Sequence, residues 1–234
     1  MSRDFFRNRG SLGSIPQMPA VTPVFNFTKN LEFDSATDLT SNFNQVIQAG
    51  TQTVTGSNVE FRNSTYDKEN SIASKFTINK IISLLMRINW WASGSASSYW
   101  CPGFSVKVLD ANNTLVTDFY LSITFNYTYN ESAWNYWNNQ QIYWRLGTDP
   151  NTQAAAIAKR LGPVPSSNAY HTYELVDMGG GYIQFKLDGV NFGSQMYLGN
   201  ATYKLGGPFY MHALGGWWNN SIYCNLDKFY LTYL

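Results

Sequence analysis

Charged residues are scarce in this chain of 234 residues. Asp, Glu, Lys and Arg together make up 13% of it, and the formal net charge is +1. A protein whose body binds nucleic acid presents a basic stripe, so this balance argues against a nucleic-acid partner. Low charge also weakens the repulsion between copies. We therefore expect self-association, or contacts with other structural subunits.

Long apolar runs are also missing. The longest, from Ile81 to Trp91, is interrupted by Ser83, Arg87 and Asn89, whereas a membrane helix needs roughly 18 apolar residues in a row. The N-terminal residues contain no apolar segment of the kind found in a secretory signal. We expect no membrane span and see no signal peptide. An extracellular or virion-surface location is expected, reached either by another route or with a signal that this sequence does not include.

Cysteine and histidine are rare, with two residues of each. Cys101 and Cys224 lie far apart and match no zinc-binding spacing, so we expect either one disulfide between neighbouring strands or two buried thiols. No metal or cofactor is predicted. Calcium is the alternative, because it takes oxygen ligands from loops, although its candidate ligands form no dense acidic loop; they are Asp110, Asn112, Asp149, Asn151 and Asp177.

The first 23 residues differ in composition from the rest of the chain. They contain several arginines, glycine, serine and three prolines, a mixture typical of an extended segment. We predict an N-terminal arm over residues 1–23 and one folded domain over residues 24–234. The arm residues expected to contact neighbouring subunits in an assembly are Arg3, Phe5, Phe6, Arg7 and Arg9.

The segment from Tyr170 to Gly193 predicts two consecutive β-hairpins. Apolar and polar residues alternate on both sides of Gly179–Gly181, where glycine reaches positive φ without steric cost. Asp188 and Gly189 then form a two-residue hairpin signal of type I′. An antiparallel all-β domain follows from this pattern.

Further strands are predicted at regular spacing through the chain. Thr51–Thr55 and Val59–Phe61, separated by Gly56–Asn58, form another hairpin pattern. Asp34–Thr40 is expected to be a turn. Thr152–Leu161, with three consecutive alanines, is the one segment predicted to be helical.

Aromatic residues are abundant, at 17% of the chain. Adjacent tryptophans on a strand point to opposite faces, so a sandwich core explains only one of each pair. The outward partner is suited to stacking on a sugar ring or to burial between subunits. The candidate residues for carbohydrate or subunit contact are Trp134, Tyr136, Trp137, Trp217 and Trp218.

Seven Asn-x-Ser/Thr sequons are present, and part of their number is expected by chance in a chain rich in Asn and Thr. Each is a candidate site of N-glycosylation if the protein meets that machinery. Asn112 follows a predicted strand and should lie at an accessible hairpin tip. The sequon residues are Asn26, Asn63, Asn112, Asn126, Asn130, Asn200 and Asn219.

Three segments carry a resemblance to a known superfamily. They are FNFTKNLEFDSATDL from Phe25 to Leu39, YHTYELVDMGGGYIQFKLDGVNF from Tyr170 to Phe192, and NLDKFYLTYL from Asn225 to Leu234. Together they resemble the concanavalin A-like lectin/glucanase superfamily, and look closest to its laminin-G-like or pentraxin-like jelly rolls. The resemblance implies a two-sheet antiparallel jelly-roll sandwich with six or seven strands in each sheet. It also implies that the last strand lies beside the first.

Glucanases of that superfamily carry Glu-x-Asp-x-x-Glu on one strand, with two carboxylates that act as nucleophile and acid. Glu32 to Asp38 matches only the first half of this pattern and lies on the first predicted strand. We therefore name no catalytic residue and expect that the protein is not an enzyme, with glycoside hydrolysis as the less favoured alternative.

Two roles fit these observations. The first, which we favour, is a structural assembly subunit of a virion or another extracellular surface lattice, joined to its neighbours through the arm and the exposed aromatics. The second is a lectin-like module that binds carbohydrate through the same aromatics.

Overall fold

The computed structural model describes nine stretches of the chain: residues 26–63, 70–92, 103–124, 128–130, 133–135, 141–147, 157–163, 169–212 and 222–234. They form two antiparallel β-sheets packed face to face, as a jelly-roll sandwich requires. The all-β fold class is therefore confirmed. The predicted arm over residues 1–23 lies outside the described residues.

The larger sheet has nine strands. Its path runs β15-β14-β13-β6-β18-β4-β3, while β1 pairs with β18 and β16 pairs with β14. Its strands are β1 (Phe27–Leu31), β3 (Thr51–Thr55), β4 (Asn58–Asn63), β6 (Ile81–Ala92), β13 (Tyr170–Gly179), β14 (Tyr182–Leu187), β15 (Val190–Asn191), β16 (Met196–Tyr197) and β18 (Ile222–Tyr233).

The second sheet has seven strands, in the order β12-β11-β8-β7-β17-β5-β2. A separate pair, β9 with β10, forms a two-stranded ribbon. The remaining elements are α1 (Ala36–Asn42), β2 (Phe43–Ile47), β5 (Asn70–Ser74), β7 (Gly103–Leu109), β8 (Leu115–Thr124), β9 (Thr128–Asn130), β10 (Ala133–Asn135), β11 (Gln141–Gly147), β12 (Ile157–Pro163) and β17 (Lys204–His212).

The predicted hairpins are present. Gly179, Gly180 and Gly181 all have positive φ between β13 and β14, and Asp188 (φ 50°) with Gly189 (φ 79°) turns the chain into β15. The pattern at Thr51–Phe61 is the hairpin β3–β4. These turns form where the sequence predicts because few residues other than Gly, Asn and Asp tolerate left-handed backbone.

The last strand closes the fold as the resemblance implied. The second half of β18 pairs with β1, from Phe229 opposite Leu31 to Tyr233 opposite Phe27, and its first half pairs with β4. The side chains between the two sheets form one apolar core. Phe209 lies near its centre, fully buried, with ring centroids 4.9 Å from Phe229 and 5.9 Å from Phe104.

Three expectations about secondary structure were wrong. Ala36–Asn42 is a helix rather than part of a turn, because Ser35 donates its backbone N–H to the Asp38 carboxylate at 3.0 Å and so caps the first turn. Ile157–Leu161 belongs to strand β12 and not to a helix, since pairing with β11 outweighs local propensity. The larger sheet has nine strands instead of six or seven, as short segments such as β15 and β16 add to its margin.

A polar network joins the two sheets beside β2 and β3. The Gln52 side-chain amide donates to Asn70 Oδ1 at 2.6 Å and to the Ser71 carbonyl at 2.8 Å. Asn70, which is fully buried, donates to the carbonyls of Thr51 and Arg62, both at 3.0 Å. Buried amides need such partners, so this network fixes the separation of the sheets on that side.

Candidate functional site

The outer face of the seven-stranded sheet, opposite the core, brings together five polar side chains that are far apart in sequence. On β8, Phe119 and Leu121 enter the core, so the alternate residues Asp118 and Tyr120 face outward. Strands β7 and β17 alternate in the same way. We call this group the polar-face cluster: Ser105, Lys107, Asp118, Tyr120 and Tyr210.

Strand register places these residues in two neighbouring rows. Lys107 is opposite Asp118, and Ser105 is opposite Tyr120, across the β7–β8 pair. Tyr210 of β17 is opposite Ser105 on the other side of β7. Directly opposed residues on one face have Cβ atoms about 5 Å apart, so the cluster is compact.

Asp118 is the centre of the cluster. Its Oδ1 accepts a hydrogen bond from Lys107 Nζ at 2.7 Å, and its Oδ2 accepts one from the Tyr120 hydroxyl at 3.1 Å. The Lys107 ammonium also lies 5.8 Å from the centre of the Tyr210 ring, within the range of a cation–π contact. The carboxylate is therefore held in one orientation by two donors.

Gly207 makes room for Lys107. A Cβ atom at position 207 would lie 2.6 Å from Lys107 Cγ, and the residue has a φ of +71° in the irregular part of β17. Its backbone N–H donates to the Ile78 carbonyl at 2.6 Å. Only glycine satisfies both the space and the backbone conformation without strain, so Gly207 is a positioning residue for the cluster.

Burial on this face is unusual for outward residues. Tyr120 and Ser105 are each only 6% exposed although they point away from the core. Lys107 and Asp118 are more accessible, with 27% and 14% of their side chains exposed. The accessible part of the cluster is thus an ion pair beside an aromatic ring, supported from below by buried hydroxyl groups.

The described part of this face offers one carboxylate. The residues that pair with Asp118 on either side are Lys107 and Gly147, and its neighbours on the same face of β8 are Val116 and Tyr120. A retaining glycosidase needs a second carboxyl group about 5 Å away. The described residues therefore support binding chemistry directly, with Asp118 as acceptor and Lys107 as donor.

The acidic segment that resembles half a glucanase motif has structural roles instead. Glu32 accepts a hydrogen bond from the Tyr230 hydroxyl, and Lys228 Nζ lies 3.4 Å away. These hydrogen bonds, Tyr230 first, lower the pKa of Glu32. Asp34 accepts from Ser57 Oγ at 2.7 Å, and Asp38 caps α1.

Two of the three candidate calcium ligands that are described, Asp110 and Asp177, are already engaged. Asp110 Oδ1 accepts the backbone N–H groups of Asn112 and Thr114, both at 2.8 Å, within the β7–β8 turn. Asp177 accepts from Gly179 and pairs with Lys80. Asp149 and Asn151 lie outside the described residues. Within the described stretches, no three His, Cys, Asp or Glu side chains converge as a metal site would need.

Most of the predicted aromatic contact residues are not described. Trp134 is on β10, where it pairs with Tyr129 of β9, and Tyr136, Trp137, Trp217 and Trp218 lie outside the described residues. Their role in carbohydrate or subunit contact stays a prediction. The same holds for the arm residues Arg3, Phe5, Phe6, Arg7 and Arg9.

Sequons and cysteines are only partly described. Asn112 is exposed at the tip of the β7–β8 hairpin, as expected, and Asn26 and Asn200 are also exposed. Cys224 is fully buried on β18, while Cys101 is outside the described residues, so neither alternative for the cysteines is decided. Asn63 ends β4 and Asn130 ends β9, whereas Asn126 and Asn219 lie outside the described residues.

Sequence reasoning did not find the polar-face cluster. Its signal was the alternation in FSVKV and DFYLS, which marks Ser105, Lys107, Asp118 and Tyr120 as outward positions. What the sequence does not contain is the register that brings them together. Among the described residues, no helix is long and apolar enough to cross a membrane.

Comparison with known proteins confirms the fold class: the chain has the concanavalin A-like jelly-roll fold of lectins and glucanases. No family model matches it, and a search of curated protein sequences found no match. Solved structures do match over most of the chain.

Three of them illustrate the kinds of protein that match, two enzymes and a lectin-like domain. A Crh5 transglycosylase in complex with NAG is 12% identical, with a TM-score of 0.59, and the match covers 87% of this chain and 83% of that one. A laminarinase from Flavobacterium sp. UMI-01 is 13% identical, at 0.58, covering 88% and 99%. A legume lectin-like domain from Entamoeba histolytica is 10% identical, at 0.54, covering 91% and 98%.

These matches correct one expectation. We expected that the protein is not an enzyme, but a transglycosylase and a laminarinase are among the structures that share its fold. The missing half of the Glu-x-Asp-x-x-Glu pattern is therefore no ground for excluding an activity. At such low identity the likeness shows the fold alone.

Proposed function

We propose that the protein binds carbohydrate on the outer face of its seven-stranded sheet, at the polar-face cluster. The observation that carries this proposal is the Asp118 carboxylate, held by Lys107 and Tyr120 beside the ring of Tyr210. An acceptor, a donor and an aromatic ring at one place are the groups that a ligand site needs for orientation and specificity.

The chemistry of the cluster suits a neutral, hydroxyl-rich ligand. The charges of Lys107 and Asp118 cancel within the pair, so the pair by itself does not select an ion; the register also places Arg145 opposite Tyr120. A carboxylate accepts hydrogen bonds from hydroxyl groups and an ammonium donates them. The Tyr210 ring presents apolar area to the C–H face of a sugar, and a saccharide combines both kinds of surface.

The comparisons support the same ligand class. The Crh5 structure is a complex with NAG, and the matched domain from Entamoeba histolytica is named lectin-like. The fold alone does not carry an activity from one protein to another. Its support is that a carbohydrate ligand, bound or processed, is common to proteins of this shape.

A glycan array followed by titration of the best ligand tests the proposal. Replacing Asp118 with Asn removes the charge that accepts the hydrogen bonds while keeping the shape of the side chain. Hydrogen bonds to charged groups contribute about 1.5–3 kcal/mol, so we expect Asp118→Asn to weaken binding by about ten- to a hundredfold. Glu174→Gln is the matched control, because Glu174 also forms an ion pair with a lysine, Lys186 at 3.3 Å, but on the other sheet.

Binding that is absent for the wild-type protein, or equal in both variants, would contradict the proposal. The same samples show whether the ligand is only bound or also processed. New reducing ends released by the wild-type protein would indicate hydrolysis, and longer products would indicate transglycosylation. Loss of that turnover in Asp118→Asn would place the reaction at the polar-face cluster.

A subunit role in a virion or another surface lattice is the second candidate. The arm expected to join neighbours lies outside the described residues, and no feature of the described residues is specific to a virion. Such a role requires self-association. One described feature favours it: the edge strands β2 and β3 contain no charged residue.

A further inference from the structure

The two lateral sides of the sandwich differ in how their edge strands are protected. On the side of β12, β15 and β16, two of the edge strands have only two residues each, and the third contains Lys159, Arg160 and Pro163. Short strands, charged residues and proline all prevent an edge from pairing with another chain. This side is well protected.

The same side is also closed by close packing between the sheets. A Cβ atom on Gly162 of β12 would lie 2.6 Å from the Phe192 ring, and one on Gly193 would lie 2.9 Å from the Leu161 side chain. Glycine at both positions lets the chain after β15 lie directly on β12. A second molecule therefore meets a covered margin here.

Within strands β2 and β3 themselves, the described part of the opposite side has none of these devices, although β1 on the same side carries Lys29 and α1 contacts both strands near one end. Strands β2 (FNQVI) and β3 (TQTVT) have five residues each and contain no charged residue, proline or glycine. Among the described residues, β2 pairs only with β5 and β3 only with β4. Val46 and Ile47 on β2 are 38% and 48% exposed.

These two edges are held at a fixed distance from each other. Gln45 Nε2 donates to Gln52 Oε1 at 3.0 Å, which links β2 directly to β3. The buried network of Gln52 and Asn70 lies immediately behind. At the other end, the Ser57 hydroxyl in the β3–β4 turn bonds Asp34, just before α1. Both edges are therefore presented together as one ordered margin, which reduces the entropy that binding must remove.

We propose that this margin, formed by β2 and β3, pairs with the same margin of a second copy of the protein. Antiparallel pairing of β3 with itself about Thr53 puts Thr51 opposite Thr55 and Gln52 opposite Val54, so every pair is uncharged. Opposed threonines stabilise such pairs. A two-fold contact needs this self-complementarity, and β2 adds the apolar surface of Val46 and Ile47.

Sedimentation velocity of the full chain over a range of concentrations tests this inference, which is independent of carbohydrate binding. The wild-type protein should shift from monomer to dimer as its concentration rises. Val46→Lys and Thr53→Lys each put a lysine into both halves of the contact. Like charges brought together across an interface cost several kcal/mol, so we expect at least about a tenfold weaker dimer.

Val190→Lys is the matched control, since Val190 lies on the protected side and is 69% exposed. It should dimerise like the wild-type protein. Circular dichroism shows whether each variant is folded. If Val46→Lys does not fold, Thr53→Lys remains as the test variant. A wild-type protein that stays monomeric would overturn the inference. So would equal weakening by Val190→Lys, or dimers that survive both test variants and disappear only when residues 1–23 are removed.

Discussion

The two outer faces of the sandwich are both polar but differ in what their polar groups do. On the nine-stranded sheet, Arg87 pairs with Asp227, Lys186 with Glu174 and Lys228 with Glu32. On the seven-stranded sheet, one described ion pair, Lys107 with Asp118, lies beside the buried hydroxyl groups of Ser105 and Tyr120. The first face spreads its ion pairs over several strands and also buries the side-chain oxygens of Asn89 and Asn225. The second face has an ion pair and two buried hydroxyl groups together, at the place where we propose a ligand site.

Their energetics explain the difference. Exposed ion pairs contribute about 0–1 kcal/mol each, because water and salt screen them. They need no ligand and serve solubility. A hydroxyl group that is buried on an outer face instead requires hydrogen-bond partners, and the Tyr120 hydroxyl has one in Asp118.

One tyrosine on the nine-stranded sheet, Tyr170, is held in place by neighbouring polar side chains. The Tyr170 hydroxyl donates to Asn58 Oδ1 at 2.6 Å, and the Arg87 guanidinium lies 4.8 Å from the ring centre. Burial raises the pKa of Tyr170, while a hydrogen bond from Asn225 opposes the shift. The phenol therefore stays neutral and acts as part of the sheet surface.

The largest effect on the difference between the two outer faces is expected from a substitution at Gly207, because a side chain there displaces Lys107. In Gly207→Ala the new Cβ meets Lys107 at 2.6 Å in a backbone with φ of +71°. Strain of this kind destabilises by more than about 1 kcal/mol. We expect a lower free energy of unfolding in urea and, because Lys107 is displaced from Asp118, weaker carbohydrate binding.

Gly56→Ala separates the two effects. Gly56 has a similar φ of +57°, but its Cβ would meet nothing within 4 Å. This variant should lose stability through backbone strain alone and bind ligand as the wild-type protein does. Equal loss of binding in both variants would show that Gly207 does not position the cluster.

A smaller effect is expected at Asp188, in the turn between β14 and β15, where we interpret the acidic group as structural. Asp188 accepts the Thr172 N–H at 2.8 Å and lies 2.7 Å from His171 Nδ1. Burial alone would raise the pKa of Asp188, but these hydrogen bonds outweigh it and the pKa is lowered. The pKa of Asp188 is lower in the folded than in the unfolded protein, so its ionised carboxylate stabilises the fold. This contribution is complete at pH values above the unfolded pKa, near 4. It is lost as the pH falls through the folded pKa.

Asp188→Asn tests this linkage, since Asn also tolerates the left-handed backbone of the turn. Half of the Asp188 side chain is exposed, so we expect a loss of under about 1 kcal/mol near neutral pH. The difference from the wild-type protein should shrink as the pH falls through the folded-state pKa of Asp188 and vanish once the carboxyl group is protonated in both states. A difference that is constant from neutral to acid pH would show that the charge of Asp188 plays no part.

Local chemistry made part of the fold predictable. Gly179–Gly181 and Asp188–Gly189 specify their turns by backbone conformation alone, and the alternation around them fixes which side chains enter the core. The closing strand from Asn225 onward was expected beside the first strand on the basis of resemblance, and it pairs there. The turns and the alternation predicted an antiparallel all-β domain, and the jelly-roll architecture was implied by the same resemblance.

The rest depends on contacts between distant segments. Thr152–Leu161 has helical propensity, but β12 forms because β11 offers a partner. The polar-face cluster depends on the register of β7 with β8 and on the irregular segment at Gly207. A shift of one residue would turn Asp118 into the core, and neither the register nor the glycine's neighbour can be deduced from composition or spacing.

The most direct test of the account compares one hydroxyl group on each face by titration with the best array ligand. Tyr120→Phe removes the donor to Asp118, and Tyr230→Phe removes the donor to Glu32 on the other sheet. A hydrogen bond contributes about 0.5–1.5 kcal/mol, so Tyr120→Phe should weaken binding by roughly two- to tenfold, while Tyr230→Phe leaves it unchanged. Weakening by Tyr230→Phe alone, or by neither variant, would contradict a carbohydrate site on the seven-stranded sheet.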